Sequence, residues 1–482
     1  MLATKPHPGD HIDTPALTLP NTTENTLKSV PNAFSLLQLR TNYNSFLELD
    51  VFAKNEYTKL NNHFQGIQRL RDGQHFVISG GSKKDKKANL LICKANYYGL
   101  VPNSLNTFYG FTRLESAIGS NVLSLGNTPP QDTVVGIYQL NKGLTKYWHA
   151  GGMDVCGDIL AVPLENSEEK KSIIRFYDFS DTTRPKIIKG EIKINGNSGG
   201  VAMTRRDDER FLCASWTDSD DGPDRFDFYI TTKPNDLSSW EKRATYDYRI
   251  ITPEDNRNPK FQAINFIRQK DGRLFLIGTE NSNKLAPILS GKDRAYLYEV
   301  VEYTDANGNL KFHLMKVNQR DFEGGGSFSN FGAAAGIFVN GQNTMAIYSA
   351  HHWRSGGTIK IGEYWPVLEP NHQKISFKRD LVIELYEHKY YNGKVLRMFG
   401  EKFSKLRNLN NIQVEGKNFS ERISSIRMII PLGYKFCMYS KIGLTGDVKV
   451  IPGKGLFHEL PDLGLSNDQF LSCDVKRIDE HN

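Results

Sequence analysis

Small residues followed by two short apolar runs decide the fold, in the stretch HAGGMDV at 149–155 and the run ILAV at 159–162. Two apolar runs of this length separated by a turn predict a pair of antiparallel strands. Gly and Ala at the start of the first strand are unusual, because a strand normally gains stability from the packing of its side chains. We therefore expect another backbone to pass close to this strand.

The same unit recurs through the first 370 residues. Its small-residue step comes at five positions, which are Gly66, Gly152, Gly200, Ala263 and Ala334. A third and a fourth strand usually follow each pair, with turns such as the Asn-Gly pair at 307–308. Four antiparallel strands per repeat, with tiny residues where inner strands crowd around a channel, resemble the blades of a β-propeller.

The spacing of the steps predicts the number of blades and their limits. The sequence predicts five blades, and six is the alternative because the interval between Gly66 and Gly152 is long. Residues 1–40, rich in Pro, Thr and Asn, are predicted to form an extended arm, and residues 41–370 the propeller. The apolar segment at 46–52 is expected to supply the outer strand of the last blade and close the ring. No segment shows sustained helical periodicity, so the chain is predicted to be all-β.

The last hundred residues carry a different motif. YEHKYYNG at 386–393 places two aromatic residues and a glycine at the spacing of a Greek-key hairpin. YSKIGLTG at 439–446 repeats the pattern, with Leu444 at the second aromatic position. Each copy is followed by a loop-and-strand segment, SERISSI at 420–426 and NDQFLSC at 467–473. Residues 380–479 therefore resemble a βγ-crystallin domain with two Greek-key motifs, which is a binding or stabilising module.

This resemblance implies a calcium site, because many members of the family bind the ion through carbonyl and hydroxyl oxygens. The implied ligands are Glu387 in the first hairpin and Ser424, Asn467 and Asp468 in the loops. Each site lacks part of the family pattern, since Leu471 replaces a hydroxyl ligand in one loop, and Ser420 and Glu421 replace the Asn/Asp pair in the other. The alternative is that the loop serines only tie loop to strand. No other cofactor is expected.

Composition and charge limit the classes of molecule that the protein is expected to bind. The net charge of +7 is spread over 482 residues, and no stripe of basic residues with interleaved aromatics suggests nucleic-acid binding. No apolar run approaches the roughly 18 residues of a membrane span. The first twenty residues contain no secretory h-region, so we expect a soluble protein, cytoplasmic or secreted by a non-classical route.

The five cysteines are predicted to be buried free thiols, although Cys437 and Cys473 could pair in an oxidising compartment. The oligomeric state is left open.

Polar and aromatic residues recur at one end of the repeats. His63 and His149 occupy equivalent positions in two repeats, just before the inner strand. Because each blade contributes a loop to the channel mouth, we predict that residues at this end bind a ligand. The predicted set is His63, His149, Glu165, Trp216, Glu280, His351, His352 and Trp353. The alternative is that these side chains cap strand ends.

Three functions remain possible at this point. We expect a non-catalytic recognition protein whose propeller rim binds a glycan or a protein, with the crystallin-like module adding stability or calcium-dependent contact; no catalytic residue is assigned. The first alternative is a glycoside hydrolase that uses two carboxyl groups at the channel mouth, drawn from Glu165, Glu280 and Asp154. The second is a structural or toxin-like component that acts through its surface.

Overall fold

The computed structural model describes most of the chain. The described residues are 16, 18–39, 42–47, 62–95, 133–218, 224–247, 259–281, 293–305, 307–323, 329–340, 344–352, 358–364, 366, 382–389, 395–399, 405–406, 408–414, 417–418, 423–430, 434–453, 457–460, 463 and 470–477. Among them, no helix has the length and apolar character needed to cross a membrane. The chain divides into two compact units, one made mainly of residues up to 367 and the other mainly of residues from 368 onward.

The first unit is an all-β propeller. Its strands are β1 (Asn42–Leu47), β2 (Asn62–Arg69), β3 (His75–Ser82), β4 (Lys87–Lys94), β5 (Thr133–Gln139), β6 (His149–Ala150), β7 (Asp154–Cys156), β8 (Ile159–Asn166), β9 (Lys171–Asp178), β10 (Lys186–Asn195), β11 (Asn197–Arg205), β12 (Phe211–Asp218), β13 (Arg225–Thr231), β14 (Trp240–Asp247), β15 (Ala263–Arg268), β16 (Leu274–Asn281), β17 (Asp293–Thr304), β18 (Leu310–Phe322), β19 (Ser329–Val339), β20 (Met345–His351) and β21 (Thr358–Tyr364).

These strands form successive antiparallel sets, which we number as blades. Blade 1 is β2 to β5, blade 2 is β6 to β10, blade 3 is β11 to β14, and blade 4 is β15 to β18. Blade 5 is β19 to β21 together with β1. In blade 2 the short segments β6 and β7 both pair with β8, so together they take the place of one inner strand.

The expected closing strand forms earlier in the sequence than predicted. β1 pairs antiparallel with β21, from Asn42 opposite Glu363 to Leu47 opposite Thr358. A segment from the beginning of the chain thus completes the last blade. The remainder of the predicted closing segment, 48–52, lies outside the described residues.

The small-residue steps lie where inner strands meet, as expected. Gly66 pairs in parallel with Ala335, and Gly152 pairs in parallel with Gly200. A Cβ on Gly152 would lie 2.8 Å from the Cα of Ala263, closer than real Cβ atoms approach other atoms. Close backbone contact therefore requires glycine here.

The segment that precedes the propeller contains a helix that the sequence did not predict. We call residues 18–38 the arm. Helix α1 (Val30–Leu36) begins with Pro31 in its first turn, and the Oγ of Ser29 accepts a hydrogen bond from the N–H of Asn32 at 3.3 Å. Phe34 is fully buried. Tertiary packing of its apolar side therefore stabilises this short helix, which has too few residues to be stable alone.

The arm crosses one end of the propeller channel and bonds in turn to four blades. It does so at Asn21, Glu24, Asn25 and Leu27. The bonds run from Asp158 N–H to the Asn21 carbonyl (2.7 Å), from Thr204 Oγ1 to Glu24 Oε2 (2.7 Å), from Asn25 Nδ2 to the Val339 carbonyl (2.9 Å), and from Leu27 N–H to the Arg268 carbonyl (3.1 Å). Gly157, Arg205, Arg268 and Val339 lie at or just after the last residues of inner strands. We call this the covered end of the channel.

The second unit consists, in its described residues, of antiparallel β-strands and one short 3₁₀ helix (Leu409–Asn411). The strands are β22 (Val382–Tyr386), β23 (Val395–Phe399), β24 (Lys405–Leu406), β25 (Gln413–Val414), β26 (Lys417–Asn418), β27 (Ser425–Ile429), β28 (Tyr434–Lys441), β29 (Thr445–Pro452), β30 (Phe457–Leu460) and β31 (Ser472–Arg477). One sheet has the order β23-β22-β27-β30 and another the order β24-β31-β28-β29. The two halves of the unit thus exchange one strand each: β30 joins the first sheet, and β24 joins the second.

All five cysteines are buried free thiols. Cys437 lies opposite Asp474 and Met438 lies opposite Cys473 in the pairing of β28 with β31. Because neighbouring strand positions point to opposite faces, Cys437 and Cys473 face away from each other. The pairing that the sequence left possible in an oxidising compartment therefore does not fit this register.

Candidate active site

One end of the channel collects most of the predicted rim residues. Inner strands begin there, and the second strand of each blade ends there. We call this end the histidine mouth. It carries His63, His149, Glu165, Glu280, His351 and His352.

Two histidines and a glutamate form a continuous hydrogen-bonded chain at this mouth. Glu165 lies opposite His149 in the pairing of β6 with β8, and its Oε2 is 2.5 Å from Nδ1 of His149. Nε2 of His149 is in turn 2.7 Å from Nε2 of His63 in blade 1. An ionised carboxylate can only accept, so His149 then donates through Nδ1 and its Nε2 accepts from His63. This order leaves Nδ1 of His63 as a hydrogen-bond acceptor.

A third imidazole packs against this chain. The His352 ring stacks on the His63 ring with centroids 5.2 Å apart, and the N–H of Phe64 donates to the His352 carbonyl at 2.9 Å. Burial, followed by the charges of His149 and His352, lowers the pKa of His63 to about 3. Burial also lowers the pKa of His352 to about 4. Both rings are therefore neutral near pH 7, and each has one ring nitrogen that can accept a hydrogen bond.

Burial likewise lowers the pKa of His351 to about 4, with Lys360 as a second cause. His351 is only 7% exposed. Neutral imidazoles are also the form that binds metal ions. Within the described part of the chain, however, no three His, Cys, Asp or Glu side chains are grouped so that they could hold a metal.

Glu280 from blade 4 has a different environment from Glu165. Its Oε1 accepts from the hydroxyl of Tyr296 at 2.8 Å, and its Oε2 accepts from the N–H of Lys260 at 3.0 Å. Glu280 is 6% exposed. Burial and the neighbouring Glu280 charge raise the pKa of Tyr296, so the phenol keeps its proton and donates. The two donors fix the orientation of this carboxyl group.

A pair of glutamines spans the channel between blade 1 and blade 4. Nε2 of Gln262 donates to Oε1 of Gln65, and also to the Gln65 carbonyl at 3.4 Å. Gln65 is two residues from His63, and Gln262 is two residues from Lys260. The sequence did not identify these glutamines, because only the closed ring brings the two blades together.

Asp154, one of the three carboxylates considered for catalysis, does not belong to the histidine mouth. Its carboxylate accepts from Asn265 Nδ2 at 2.8 Å and from the N–H groups of Met203 (2.9 Å) and Phe266 (3.0 Å). It therefore fastens blades 2, 3 and 4 together. Burial raises its pKa to about 7. It also lines a cavity of about 70 Å³ at the covered end, together with Glu24 of the arm.

Two tryptophans were predicted at the rim. The prediction is wrong for Trp216, and Trp353 lies outside the described residues. Trp216 is 2% exposed and packs against the rings of Phe226 and Phe261, each with centroids 4.8 Å away. It is a core residue and is not available to a ligand. Strand periodicity placed it at a strand end without indicating which face it occupies.

Two of the four predicted calcium ligands lie together in the second unit. The hydroxyl of Ser424 donates to the carbonyl of Glu387 at 2.9 Å. Ser425 and Ser472 make similar bonds, to the carbonyls of His388 and Lys441. These bonds tie loop to hairpin, as the alternative interpretation expected. The other two predicted ligands, Asn467 and Asp468, lie outside the described residues.

Comparison with known proteins gives fold likenesses at low identity. No family model matches the sequence, and no curated protein is significantly similar to it. A βγ-crystallin domain from Flavobacterium johnsoniae covers 21% of this chain and 99% of its own, at 24% identity and a TM-score of 0.16. An exo-1,5-α-L-arabinanase from a bovine ruminal metagenomic library covers 65% and 99%, at 12% identity and a TM-score of 0.32. A fructosyltransferase from A. japonicus covers 94% and 96%, at 8% identity and a TM-score of 0.34.

The expectation of a non-catalytic protein is corrected here. Several of the similar solved structures are glycoside hydrolases, among them a GH43 β-1,3-galactosidase and a GH32 β-fructofuranosidase, and this finding contradicts it. These likenesses concern the fold, and none identifies a residue of this chain as catalytic. A function has to be argued from the histidine mouth itself.

Proposed function

We propose that the protein hydrolyses glycosidic bonds at the histidine mouth, with Glu165 and Glu280 as its two carboxyl groups. The observation that carries this proposal is the contrast between their environments. Glu280 is held by two donors, a phenol and a backbone N–H. Glu165 is held by an imidazole that can exchange a proton with it. Glycoside hydrolysis requires one carboxyl group that gives a proton and one that does not hold a proton.

The roles follow from these partners. Glu280, whose orientation the two donors fix, acts as the base or the nucleophile. Glu165 acts as the general acid and regains its proton through His149, which is linked to His63. Because the pKa values of His63 and His352 are low, both rings are uncharged near pH 7 and place no positive charge beside His149 and Glu165. The separation of the two carboxyl groups then decides whether the sugar configuration is retained, at about 5–5.5 Å, or inverted, at about 6.5–9.5 Å.

The substrate class is a glycan. A sugar offers several hydroxyl groups, which suit the amide groups of Gln65 and Gln262 and the imidazole nitrogens at the mouth. Neutral polar groups dominate this surface near pH 7, so we expect a neutral sugar at the reacting position.

The experiment is an activity screen on aryl glycosides and polysaccharides with wild-type protein, Glu165→Gln and Glu280→Gln. We expect each variant to lose roughly 10²–10⁴-fold in kcat while retaining substrate binding. Glu241→Gln is the matched control, because Glu241 is exposed on outer strand β14. Wild-type rates in both variants, on a substrate that the wild type hydrolyses, would exclude this pair.

We also propose that the second unit is a βγ-crystallin-like module with a calcium site at Ser424 and Glu387. The hydroxyl of Ser424 and the carbonyl of Glu387 are hard oxygen donors that already lie side by side. Bound calcium would replace the hydrogen bond between them. Added Ca²⁺ should raise the melting temperature relative to EDTA in the wild type and not in Ser424→Ala. An equal response in both proteins would rule out this site.

A further inference from the structure

A second cleft lies on the side of the propeller, between outer strand β10 of blade 2 and strands β13 and β14 of blade 3. Its volume is about 700 Å³, within the range of about 300–1,000 Å³ that is common for ligand sites. The residues that line it belong to outer strands and their connections, whereas the histidine mouth lies at the inner strands. Nothing described above assigns a role to this cleft.

The cleft has a rigid aromatic residue in its wall. Trp240 stacks on Phe176 with ring centroids 5.1 Å apart and an angle of 16°. Its indole N–H donates to the Leu237 carbonyl at 2.8 Å, which fixes the ring within its plane. Phe176 covers one face, and the residue as a whole is only half-buried. A flat, pre-positioned indole of this kind offers contact area at little entropic cost.

The charges around Trp240 are mainly positive. Four cationic side chains and two acidic ones line the cleft. Of the acidic side chains, Asp227 is buried and already neutralised, with Arg225 Nε at 3.1 Å and Lys242 Nζ at 2.6 Å. Thr245 also donates to Asp227, at 2.8 Å. The excess positive charge is therefore available to something other than Asp227.

Two further lysines supply accessible positive charge. Lys189 and Lys193 are exposed on β10, and the Lys193 side chain is 81% exposed. Lys193 approaches Glu191 only at 3.9 Å. An exposed ion pair at that distance contributes little, so it does not hinder a ligand.

We propose that this cleft binds an anionic glycan chain, with a sugar ring against Trp240 and its carboxylate or sulfate groups against Lys189 and Lys193. An indole and flanking ammonium groups together match a ring that carries negative substituents, whereas an acidic peptide would use only the lysines. The proposal does not depend on hydrolysis at the histidine mouth, because it concerns binding at different residues.

The experiment is affinity electrophoresis of the full-length protein in gels that contain polygalacturonate, dextran sulfate, neutral dextran or polyglutamate. The first two ligands distinguish carboxylate from sulfate recognition. We expect at least one of them to retard the protein, with weaker retardation at high salt. Neutral dextran and polyglutamate should retard it much less.

Two variants locate the binding. Lys189→Glu/Lys193→Glu should weaken binding at least tenfold. Lys270→Glu/Lys441→Glu changes the net charge equally at exposed positions elsewhere and should change binding less than twofold. Trp240→Phe should weaken glycan binding more than any residual polyglutamate binding. The proposal is overturned by unchanged binding in the first variant, by equal losses in both charge variants, or by polyglutamate binding as tightly as the glycans.

Discussion

The two ends of the propeller channel differ in what covers them, although the same inner strands form both. In blade 1, His63 and Arg69 are six residues apart on one strand. The histidine mouth presents stacked imidazoles and two carboxylates from different blades. The covered end lies beneath the arm, which bonds to four blades. A channel with one covered end has one mouth through which a ligand can enter.

Burial removes charge at both ends, but in opposite directions. At the histidine mouth it lowers the pKa of His63 to about 3. At the covered end it raises the pKa of Glu24 to about 7, although Thr204 and Arg268 oppose this shift. Both effects follow from the cost of placing a charge in a medium less polar than water. The two ends should therefore respond oppositely to pH.

The largest effect is expected in the hub that both ends share. A Cβ on Gly336 would overlap the carbonyl oxygen of Ile67, which is backbone and cannot move aside. Gly336→Ala should destabilise the protein by more than about 3 kcal/mol and prevent stable folding. Gly199→Ala, whose nearest atom is 3.3 Å away, is the control and should cost about 1 kcal/mol or less. Circular dichroism and thermal melting measure both, and equal stability would refute close packing of the hub.

A change confined to the covered end should be smaller. Leu27 is fully buried where the arm meets blade 4. Leu27→Ala should cost about 2–4 kcal/mol, because it leaves a cavity that the surrounding structure fills only in part. Leu39→Ala, at a side chain 42% exposed, should have little effect. Denaturant unfolding measures the difference. Equal stability of the two variants would mean that the arm is not tightly packed.

Acid should weaken the histidine mouth. The folded pKa of His63 is about 3 and its ordinary value is 6.5, so between these values the unfolded chain binds the extra proton. Stability from this residue is complete above pH 6.5 and is lost as the pH falls toward 3. In His63→Gln the loss over this window should be smaller by about 1–2 kcal/mol. Unfolding free energies measured from pH 7 to pH 4 test this, and parallel curves would contradict it.

Alkali should weaken the covered end, by a smaller amount. The folded pKa of Glu24 is about 7 and its ordinary value is 4.5, so the folded protein holds the extra proton between them. Stability from this group is complete below pH 4.5 and is lost as the pH rises through 7. Glu24→Gln should therefore be more stable than wild type at pH 8 by about 1 kcal/mol and equal to it at pH 4. A stability difference with the opposite dependence on pH would contradict this assignment.

The sequence predicted features that depend on local pattern. Gly66, Gly152 and Gly200 indicated the close-packed hub, and the shared position of His63 and His149 indicated that they meet. Both predictions rest on repeats, which translate directly into equivalent positions in a ring. The use of a segment from the beginning of the chain as a closing strand followed from the missing fourth strand of the last repeat.

The sequence did not predict features that depend on long-range contact. The sequence predicts an extended arm but not its contacts with the propeller. Its bonds to Thr204 and Val339 join residues about 180 and 310 positions apart, and no local pattern indicates such contacts. Asp154 was considered for the mouth, since alternation along a strand gives the face of a side chain but not its depth in the channel. For Trp216 the strand pattern indicates the strand end but not which face of the sheet the side chain occupies.

The most direct test of the account compares one substitution at each end of the channel. Glu165→Gln at the histidine mouth and Glu24→Gln at the covered end both replace a carboxyl group by an amide of the same shape. With a substrate found in the activity screen, kcat should fall roughly 10²–10⁴-fold in Glu165→Gln and by less than twofold in Glu24→Gln. Loss of activity in Glu24→Gln with full activity in Glu165→Gln would place the reaction at the covered end of the channel and contradict the account.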